Sequence, residues 1–214
     1  MASTVCVIDD DTPVRRSLER LLRSAGFDVE TFVSARAFLD TGAVDEAGCI
    51  VLDVQMPTMS GLELQDWLND LGAYHPPIIF ISGHASVPAT VHALKHGAED
   101  FLEKPIEAEA LFGAIQRALV RDRENRIARQ ELQVIHDRFD SLSAREREVL
   151  GHVIAGKLNK QIAGELGISE KTVKAHRGRL MEKMQVRSVA ELVGQMYRIH
   201  VPAAASPDNS TLDR

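Results

Sequence analysis

The sequence contains little cysteine and no long apolar segment. Only two of its 214 residues are cysteines. Cys6 and Cys49 both lie in apolar stretches, so we expect small core thiols in a reducing compartment and neither a disulfide framework nor a metal site. No apolar run approaches the roughly 18 residues of a membrane-spanning helix, and residues 1–4 lack the basic start of a signal peptide. We therefore expect a cytoplasmic protein with no membrane partner.

Charge is distributed unevenly along the chain. Residues 1–120 contain 8 basic and 18 acidic residues, a formal charge of −10, whereas residues 139–200 contain 11 basic and 7 acidic ones, a formal charge of +4. A chain of 214 residues has room for two modest domains. The composition thus predicts an acidic domain at 1–120 and a basic domain at 139–200.

Apolar strand-like runs alternate with helical patterns through residues 1–120. The runs are TVCVI, DVETF, CIVLD, PIIFIS and EDFLEK. Five βα units of this length predict an α/β doubly wound domain with a five-stranded parallel sheet. Gly26 and Gly97 stand where glycine commonly ends a helix in the left-handed conformation.

The remainder of the chain has helical periodicity. Residues 121–138 contain neither proline nor glycine and predict a helical linker. A seam of four apolar residues has the spacing of a short coiled coil, although a solvated helix with a few apolar contacts fits the same pattern. These residues are Ala128, Leu132, Ile135 and Phe139.

Capping signals recur in residues 139–200. SARE from Ser143 and SVAE from Ser188 fit the S-x-x-E capping box, and Asn159 and Ser169 can cap two further helices. Four short helices predict a small all-α domain. Residues 201–214 have the composition of a disordered tail.

Three consecutive carboxylates, Asp9 to Asp11, follow the first apolar run. A buried parallel strand would place them at the carboxyl edge of the sheet, where open α/β sheets bind ligands. Crowded carboxylates raise one another's pKa, so a compensating cation is expected, and their oxygens suit Mg²⁺. The alternative is a solvated turn in which Asp11 or Thr12 caps the next helix, with Pro13 at its first position.

Other strand ends carry groups suited to phosphate chemistry. Asp53 ends CIVLD, Ser82 ends PIIFIS, and Lys104 ends EDFLEK and precedes Pro105. Asp53 would lie beside the first acids if those two strands are neighbours. A strand-end hydrogen bond for Ser82 and a solvated surface lysine are the alternatives, but the ordered set predicts a site for Mg²⁺ and a phosphoryl group.

His92 and His96 stand four residues apart on a predicted helix. This spacing can ligate a metal, but the sequence offers no evident third ligand nearby. Surface histidines are the simpler interpretation.

These strand-end residues and the MPTMSG segment that follows Asp53 resemble the receiver domain of bacterial two-component response regulators over the whole of residues 1–120. The resemblance implies that Asp53 is the phosphoacceptor and that the Lys104–Pro105 bond is cis. It also implies a Mg²⁺ site, phosphoryl-binding residues and a switch aromatic. The metal would be held by Asp9, Asp10, Asp53 and the backbone carbonyl of Gln55, the phosphoryl group by Ser82 and Lys104, and the switch aromatic is Phe101.

A helix-turn-helix pattern occupies NKQIAGELGISEKTVKAHRGRLMEKM, where an apolar helix ends at Gly167 and Ser169 begins a basic one. Together with LSAREREVL, this segment resembles the LuxR-type DNA-binding domain of the FixJ and NarL regulators, and the order and lengths indicate the FixJ- and StyR-like branch. By that resemblance Lys174 and Ala175 face bases in the major groove, while Gly178 stands where relatives can carry a longer contacting side chain. The other implied DNA-binding residues are Asn159, Lys160, Lys171, Thr172, His176 and Arg177.

Two further sets of apolar residues belong to this domain. The predicted core residues are Ile162, Ala163, Leu166, Val173, Leu180 and Met184. The last helix, from Ser188 to about His200, is expected to pair two subunits, with Leu192 and Met196 at the interface.

Taken together, the patterns predict a response regulator and not an enzyme. A sensor histidine kinase would phosphorylate Asp53, and the modified protein would form a homodimer, bind double-stranded promoter DNA and act on RNA polymerase. One alternative is a Mg²⁺-dependent phosphatase, which usually has a second acid two residues after the nucleophile, where this chain has Gln55. The other alternative is a phosphate-independent scaffold or DNA-binding protein.

Overall fold

The computed structural model describes residues 4–84 and 86–200, apart from the side chain of His200. The tail predicted to be disordered, residues 201–214, lies outside the described residues. The chain forms two compact units, which we call the first unit, up to Arg126, and the second unit, from Ile127. Within the described ranges, no helix is both long and apolar enough to span a bilayer. The domain limits at residues 120 and 138 stay predictions.

The first unit contains a five-stranded parallel sheet, as predicted. Its strands are β1 (Thr4–Ile8), β2 (Val29–Phe32), β3 (Ala47–Asp53), β4 (Ile78–Ser82) and β5 (Asp100–Glu103). Their order across the sheet is β2-β1-β3-β4-β5, and every neighbouring pair is parallel. Because β1 and β3 are adjacent, with Ile8 opposite Leu52, the acids that follow them reach the same edge.

Helices cover both faces of this sheet. They are α1 (Thr12–Ser24), α2 (Ala35–Asp40), α3 (Gly61–Asp70), α4 (Val87–Lys95) and the start of α5 (Ala108–Asp140). One apolar cluster contains Phe38, Leu64 and Phe80, and the other contains Leu22, Ile79 and Leu111. Burying apolar side chains on both faces is what a parallel sheet requires.

The helix-end signals of the first unit are confirmed. The side chain of Asp11 caps α1 by accepting a hydrogen bond of 3.2 Å from the backbone N–H of Val14. Pro13 lies in the first turn, where its missing N–H has no cost. Gly26 and Gly97 have φ angles of 86° and 89°, so both adopt the left-handed conformation that favours glycine.

The helix α5 continues without interruption from Ala108 to Asp140. It therefore includes the predicted linker. Ile135 is buried in the core of the second unit and Phe139 packs against that core, whereas Ala128 is exposed. Two of the four residues proposed for a coiled-coil seam thus pack inside their own unit.

The second unit adds four short helices, as the capping signals predict. They are α6 (Ala144–Ile154), α7 (Asn159–Leu166), α8 (Glu170–Lys183) and α9 (Val189–His200). Ser143 forms a complete capping box with Glu146, and Ser169 caps α8. The six predicted core residues all belong to its apolar cluster, Leu166 at the margin.

Two predictions for the second unit are wrong. Asn159 is the first residue of α7 and not its cap, because Leu158 takes the capping position and its N–H is satisfied by the Gln161 side chain at 2.8 Å. Leu192 and Met196 are 0% and 5% exposed and fill the core, so they are not available to a partner. A four-helix domain of this size needs its large apolar residues inside, and on α9 Val193 and Tyr197 are exposed instead.

Candidate functional site

Two buried carboxylates meet one ammonium group at the carboxyl edge of the sheet. The Nζ atom of Lys104 lies 2.8 Å from Oδ2 of Asp9 and 2.7 Å from Oδ1 of Asp53. Asp9 is 0% exposed and Asp53 is 5% exposed. The ends of β1, β3 and β5 therefore bring together three of the residues that the sequence assigned to this site. We call these three residues the acid pocket.

Backbone amides fix the remaining carboxylate oxygens of the acid pocket. The N–H of Asp11 donates to Oδ1 of Asp9 at 2.8 Å, and the N–H of Gln55 donates to Oδ2 of Asp53 at 2.9 Å. Asp10 and the side chain of Gln55 are exposed at the same edge. Both buried carboxylates are thus held in defined orientations before any ligand arrives.

The pKa values reflect the competition between burial and pairing in the acid pocket. Burial raises the pKa of Asp53, and its hydrogen bond with Lys104 offsets only part of that effect. For Lys104, burial alone would lower the pKa, but the bonds to Asp53 and Asp9 outweigh burial and raise it. The lysine is therefore held as a cation beside the carboxylates.

The donor set fits a divalent cation. Asp9, Asp10 and Asp53 supply three carboxylates, and Lys104 bonds two of them, so the carboxylates outnumber the cation that is paired with them. Each carboxylate oxygen accepting one hydrogen bond retains a further lone pair. Carboxylate and carbonyl oxygens are the ligands that Mg²⁺ prefers, with water completing its shell.

Ser82 and Phe101 flank the acid pocket. Ser82 ends β4 and is buried, its Oγ accepts a 3.2 Å hydrogen bond from the N–H of His84, and its carbonyl accepts one of 2.7 Å from the N–H of Lys104. The Lys104–Pro105 peptide bond is cis, as the resemblance implies. Phe101 is partly buried on β5, with its ring centroid 6.1 Å from that of Phe80.

The structure gives roles to two residues to which the sequence analysis assigned none. A Cβ atom at Gly61 would lie 2.3 Å from the carbonyl oxygen of Asp53, so only glycine lets α3 begin this close to β3. The guanidinium of Arg15 donates to the carbonyl of Asp9 at 2.7 Å and to that of Asp10 at 3.4 Å. The glycine of MPTMSG signalled the first contact, whereas no pattern in the sequence signalled the second.

The helix-turn-helix of the second unit presents a basic surface. Gly167 ends α7 with a φ of 66°, and Ser169 begins α8 by accepting a 3.1 Å hydrogen bond from the N–H of Thr172. Four of the predicted DNA-binding residues are exposed, and they are Lys160, Lys171, Lys174 and Ala175. Exposed lysines beside a small side chain allow α8 to approach a surface that carries phosphates.

Another four predicted DNA-binding residues are partly buried, and they are Asn159, Thr172, His176 and Arg177. A guanidinium nitrogen of Arg177 donates to Oδ1 of Asn159 at 3.0 Å. This bond ties the start of α7 to the middle of α8. Arg177 is thus oriented by its neighbour, whereas the exposed lysines are free to follow a phosphate backbone.

Comparisons with known proteins agree with both halves of the structure. Residues 5–116 match the response regulator receiver domain, and residues 140–196 match the bacterial regulatory proteins of the luxR family. The chain is 47% identical to the response regulator protein TodT of Pseudomonas putida over 92% of this chain and 87% of that protein. It is also 47% identical to the transcriptional regulatory protein FixJ of Azorhizobium caulinodans, over 88% and 89%. Among solved structures, the response regulator StyR has a TM-score of 0.81 and 48% identity, covering 92% of this chain and 100% of that one.

Proposed function

Because this chain belongs to the response regulators that join a receiver domain to a LuxR-type DNA-binding domain, we propose that Asp53 accepts a phosphoryl group from a sensor histidine kinase. Proteins of this family regulate transcription under the control of phosphorylation. The observation that carries the assignment is the acid pocket, in which Lys104 bonds both Asp9 and Asp53. The position of Asp53 at the end of β3, the central strand of the sheet, supports its choice as the acceptor.

In the proposed reaction, a carboxylate oxygen of Asp53 attacks the phosphorus of a phosphohistidine on the kinase. A P–O bond forms, the P–N bond breaks, and its electron pair returns to the imidazole. Lys104 neutralises part of the charge on the transferred group, and the Gln55 N–H holds the carboxylate in position. A bound Mg²⁺ would screen the phosphoryl oxygens, and Asp9, Asp10, Asp53 and the carbonyl of Gln55 would hold it.

Phosphorylation would then rearrange the residues beside the acid pocket. The hydroxyl of Ser82 would turn from the His84 N–H toward a phosphoryl oxygen, and Phe101 would move into the space it leaves. The partial burial of Phe101 supports this, because its ring already lies against Phe80 at the margin of the core. The altered surface of the first unit would allow two copies to pair.

Pairing would present two copies of α8 to an inverted repeat in promoter DNA. Lys174 and Ala175 are exposed and would read base edges, whereas Lys171 at the start of α8 would contact phosphates. The Asn159–Arg177 pair would lie near the backbone, as would Lys160, Thr172 and His176. Contact with RNA polymerase follows from the family's role in transcription.

We also propose that the protein acts in the cytoplasm and has no catalytic turnover of its own. The two cysteines are free and buried, which supports a reducing compartment. A phosphatase would need an acid to protonate the leaving group, and Gln55 cannot do so at that position. The scaffold alternative gives no reason for two buried carboxylates to be paired with one lysine in the acid pocket.

The experiment is phosphorylation of the full chain by a small phosphodonor with Mg²⁺. We expect labelling of the parent protein, no labelling of Asp53→Asn, and a higher Mg²⁺ requirement in Asp10→Ala. The matched control is Asp70→Asn, an exposed acid at the end of α3, which should label normally. Undiminished labelling of Asp53→Asn contradicts the site, rapid catalytic turnover of added phosphoesters favours the enzyme, and an unlabelled parent favours the scaffold.

A further inference from the structure

Two histidines and an aspartate meet on the surface of the first unit, away from the acid pocket. Asp66 lies on α3, His92 lies on α4, and His96 directly follows α4. One ring nitrogen of each histidine and one carboxylate oxygen lie within 4.8 Å of one another. The sequence showed the histidine pair but no third ligand, because Asp66 is far from it along the chain. We propose that these residues bind a divalent transition-metal ion of the Zn²⁺ type, and we call them the His–Asp cluster.

The chemistry of the cluster suits such an ion. Imidazole nitrogen is a good ligand for Zn²⁺, Ni²⁺ and Cu²⁺, whereas Mg²⁺ and Ca²⁺ prefer oxygen ligands alone. Two histidines and one carboxylate, with water in the fourth position, form a common tetrahedral zinc set. The cluster and the acid pocket therefore select different metals.

Hydrogen bonds already assign the ligating nitrogens. Nδ1 of His96 lies 2.8 Å from the carbonyl oxygen of His92, and because a carbonyl only accepts, Nδ1 carries the proton. The other nitrogen of His96 then keeps the lone pair that a metal requires. Nε2 of His92 lies 3.1 and 3.2 Å from the two oxygens of Asp66, so a metal between them would replace a single proton.

The two sides of the cluster are held at a fixed separation. Nε2 of Gln65 donates to the carbonyls of Ala93 and His96 at 3.0 and 3.2 Å, and Nδ2 of Asn69 donates to that of His96 at 3.1 Å. These bonds fix the end of α4 against α3 on both sides of Asp66. Two ligands on one tetrahedral zinc lie about 3.4 Å apart, so modest rotations of side chains bring the three groups together.

A surface ion pair joins Asp66 and His92, and the bond from Nδ1 of His96 to the His92 carbonyl holds the second ring beside them. The two imidazole rings stack with centroids 4.0 Å apart and planes inclined by 21°. The stack places a second nitrogen donor beside the pair on the exposed side of the cluster. A metal bound here would link α3 to the end of α4.

The test is a titration of the full chain with Zn²⁺ in excess Mg²⁺, which occupies oxygen-only sites. We expect one saturable site, and each of Asp66→Asn, His92→Ala and His96→Ala should weaken it by at least about tenfold. The control is His136→Ala, an exposed histidine on α5, which should bind as the parent does. Asp53→Asn should also bind Zn²⁺ normally, so the result does not depend on the proposed function.

A second measurement keeps the inference testable without relying on affinity alone. Zn²⁺ should raise the thermal unfolding midpoint of the parent and of His136→Ala, because a ligand that binds only the folded chain stabilises it. The midpoint of His96→Ala should rise less than that of the parent, because its site binds Zn²⁺ more weakly. Absence of saturable binding by the parent, or a Zn²⁺ shift in His96→Ala equal to that of the parent, overturns the proposal.

Discussion

Gly61 shows how a single residue without a side chain shapes the acid pocket. Its N–H donates to the carbonyl of Val54 at 3.0 Å, and its Cα faces the carbonyl of Asp53. A methyl group there would lie 2.3 Å from that oxygen, which is far inside van der Waals contact. The start of α3 would have to move away from β3.

We expect Gly61→Ala to lower the free energy of unfolding of the first unit by about 1 to 3 kcal/mol, the usual cost of an overpacked site. Urea unfolding followed by the fluorescence of Trp67, the single tryptophan, measures this change. The control is Gly113→Ala on α5, where a Cβ atom meets only the end of Arg117 at 3.5 Å. Alanine there should be neutral or stabilising by up to about 1 kcal/mol, and an equal loss in both variants contradicts the steric argument.

The acid pocket was predictable because its residues end strands. Once five βα units are recognised, the carboxyl ends of parallel strands must share one edge, so Asp9, Asp53 and Lys104 converge. Gly61 and Asp66 act through close approaches between separate elements, which depend on packing and have no sequence period. For the same reason, the sequence showed the pair His92 and His96, which are four residues apart, but not Asp66, which lies on a separate helix.

At the scale of elements, a buried acid in the first turn of α6, Glu146, accepts hydrogen bonds from two parts of the second unit. Glu146 completes the capping box with Ser143 and also accepts a 2.7 Å bond from Nζ of Lys183 on α8. The bonds from Lys183 and from the Ser143 backbone lower the pKa of Glu146 to about 2. This carboxylate therefore joins two helices of the second unit.

The pKa shift predicts how stability depends on pH. The pKa of Glu146 in the folded unit, about 2, lies below its ordinary value of 4.5, so its contribution is complete above 4.5 and is lost as pH falls toward 2. At about pH 6, Glu146→Gln should cost about 1 to 3 kcal/mol, and the difference from the parent should shrink as the pH falls. Hydrogen exchange of α6 and α8 amides in the full chain measures both.

The matched control is the equivalent acid of α3. Glu63 occupies the same position in the capping box of Ser60, with a 2.7 Å bond to the Ser60 N–H, but it is exposed. Glu63→Gln should therefore produce a smaller loss of protection in α3. A pH-independent difference between Glu146→Gln and the parent would show that the residue acts through packing alone.

The helix α5 is fastened to the sheet of the first unit by a buried ion pair. Asp122 is 0% exposed, and Nε of Arg126 lies 2.9 and 2.8 Å from its two oxygens. Arg126 also donates to the carbonyls of Asp45 and Ala47 at 2.9 and 2.6 Å, and the Tyr74 hydroxyl donates to Asp122. These bonds reach the segment that leads into β3.

Removing Arg126 would leave the buried carboxylate of Asp122 with the neutral Tyr74 hydroxyl as its hydrogen-bond donor. Breaking a fully buried pair costs about 3 to 5 kcal/mol, but Arg126 is 36% exposed, so we expect about 2 kcal/mol for Arg126→Ala in urea unfolding. Adding Asp122→Asn to the Arg126→Ala variant should restore part of the lost free energy of unfolding, because it removes the unpaired buried charge. Arg121→Ala, which breaks an outer pair with Glu99, should cost less than about 1 kcal/mol. Equal losses in the two arginine variants would contradict a special role for the Asp122 pair.

The error at α9 has an instructive cause at this scale. A helical period identifies the apolar face that contains Leu192 and Met196, but it does not say what covers that face. In a small four-helix unit the domain's own core takes it, and the exposed Val193 and Tyr197 interrupt the polar side. An apolar helix face therefore predicts which residues are buried, but it does not predict whether the domain's own core or a second subunit covers them.

At the scale of the whole molecule, an acidic first unit and a basic second unit share one chain and one continuous helix, α5. The charge split anticipated two functions, and the matches to a receiver domain and a luxR-family domain confirm it. The number of DNA-contacting helices per complex depends instead on association between chains. The number of contacting helices can be measured from the salt dependence of DNA affinity.

The salt dependence of DNA binding should reveal whether phosphorylation pairs two copies. The slope of log affinity against log salt concentration is about −0.9 for each phosphate contact, so a dimer that engages two copies of α8 should show about twice the slope of a single copy. We expect the phosphorylated chain to sediment as a dimer and to show this doubled slope on a fragment with an inverted repeat. Asp53→Asn treated with the same phosphodonor should keep the smaller slope. A rise in affinity with an unchanged slope would mean that phosphorylation makes the DNA-binding surface of one copy available without pairing it, and the proposed dimer would have to be abandoned.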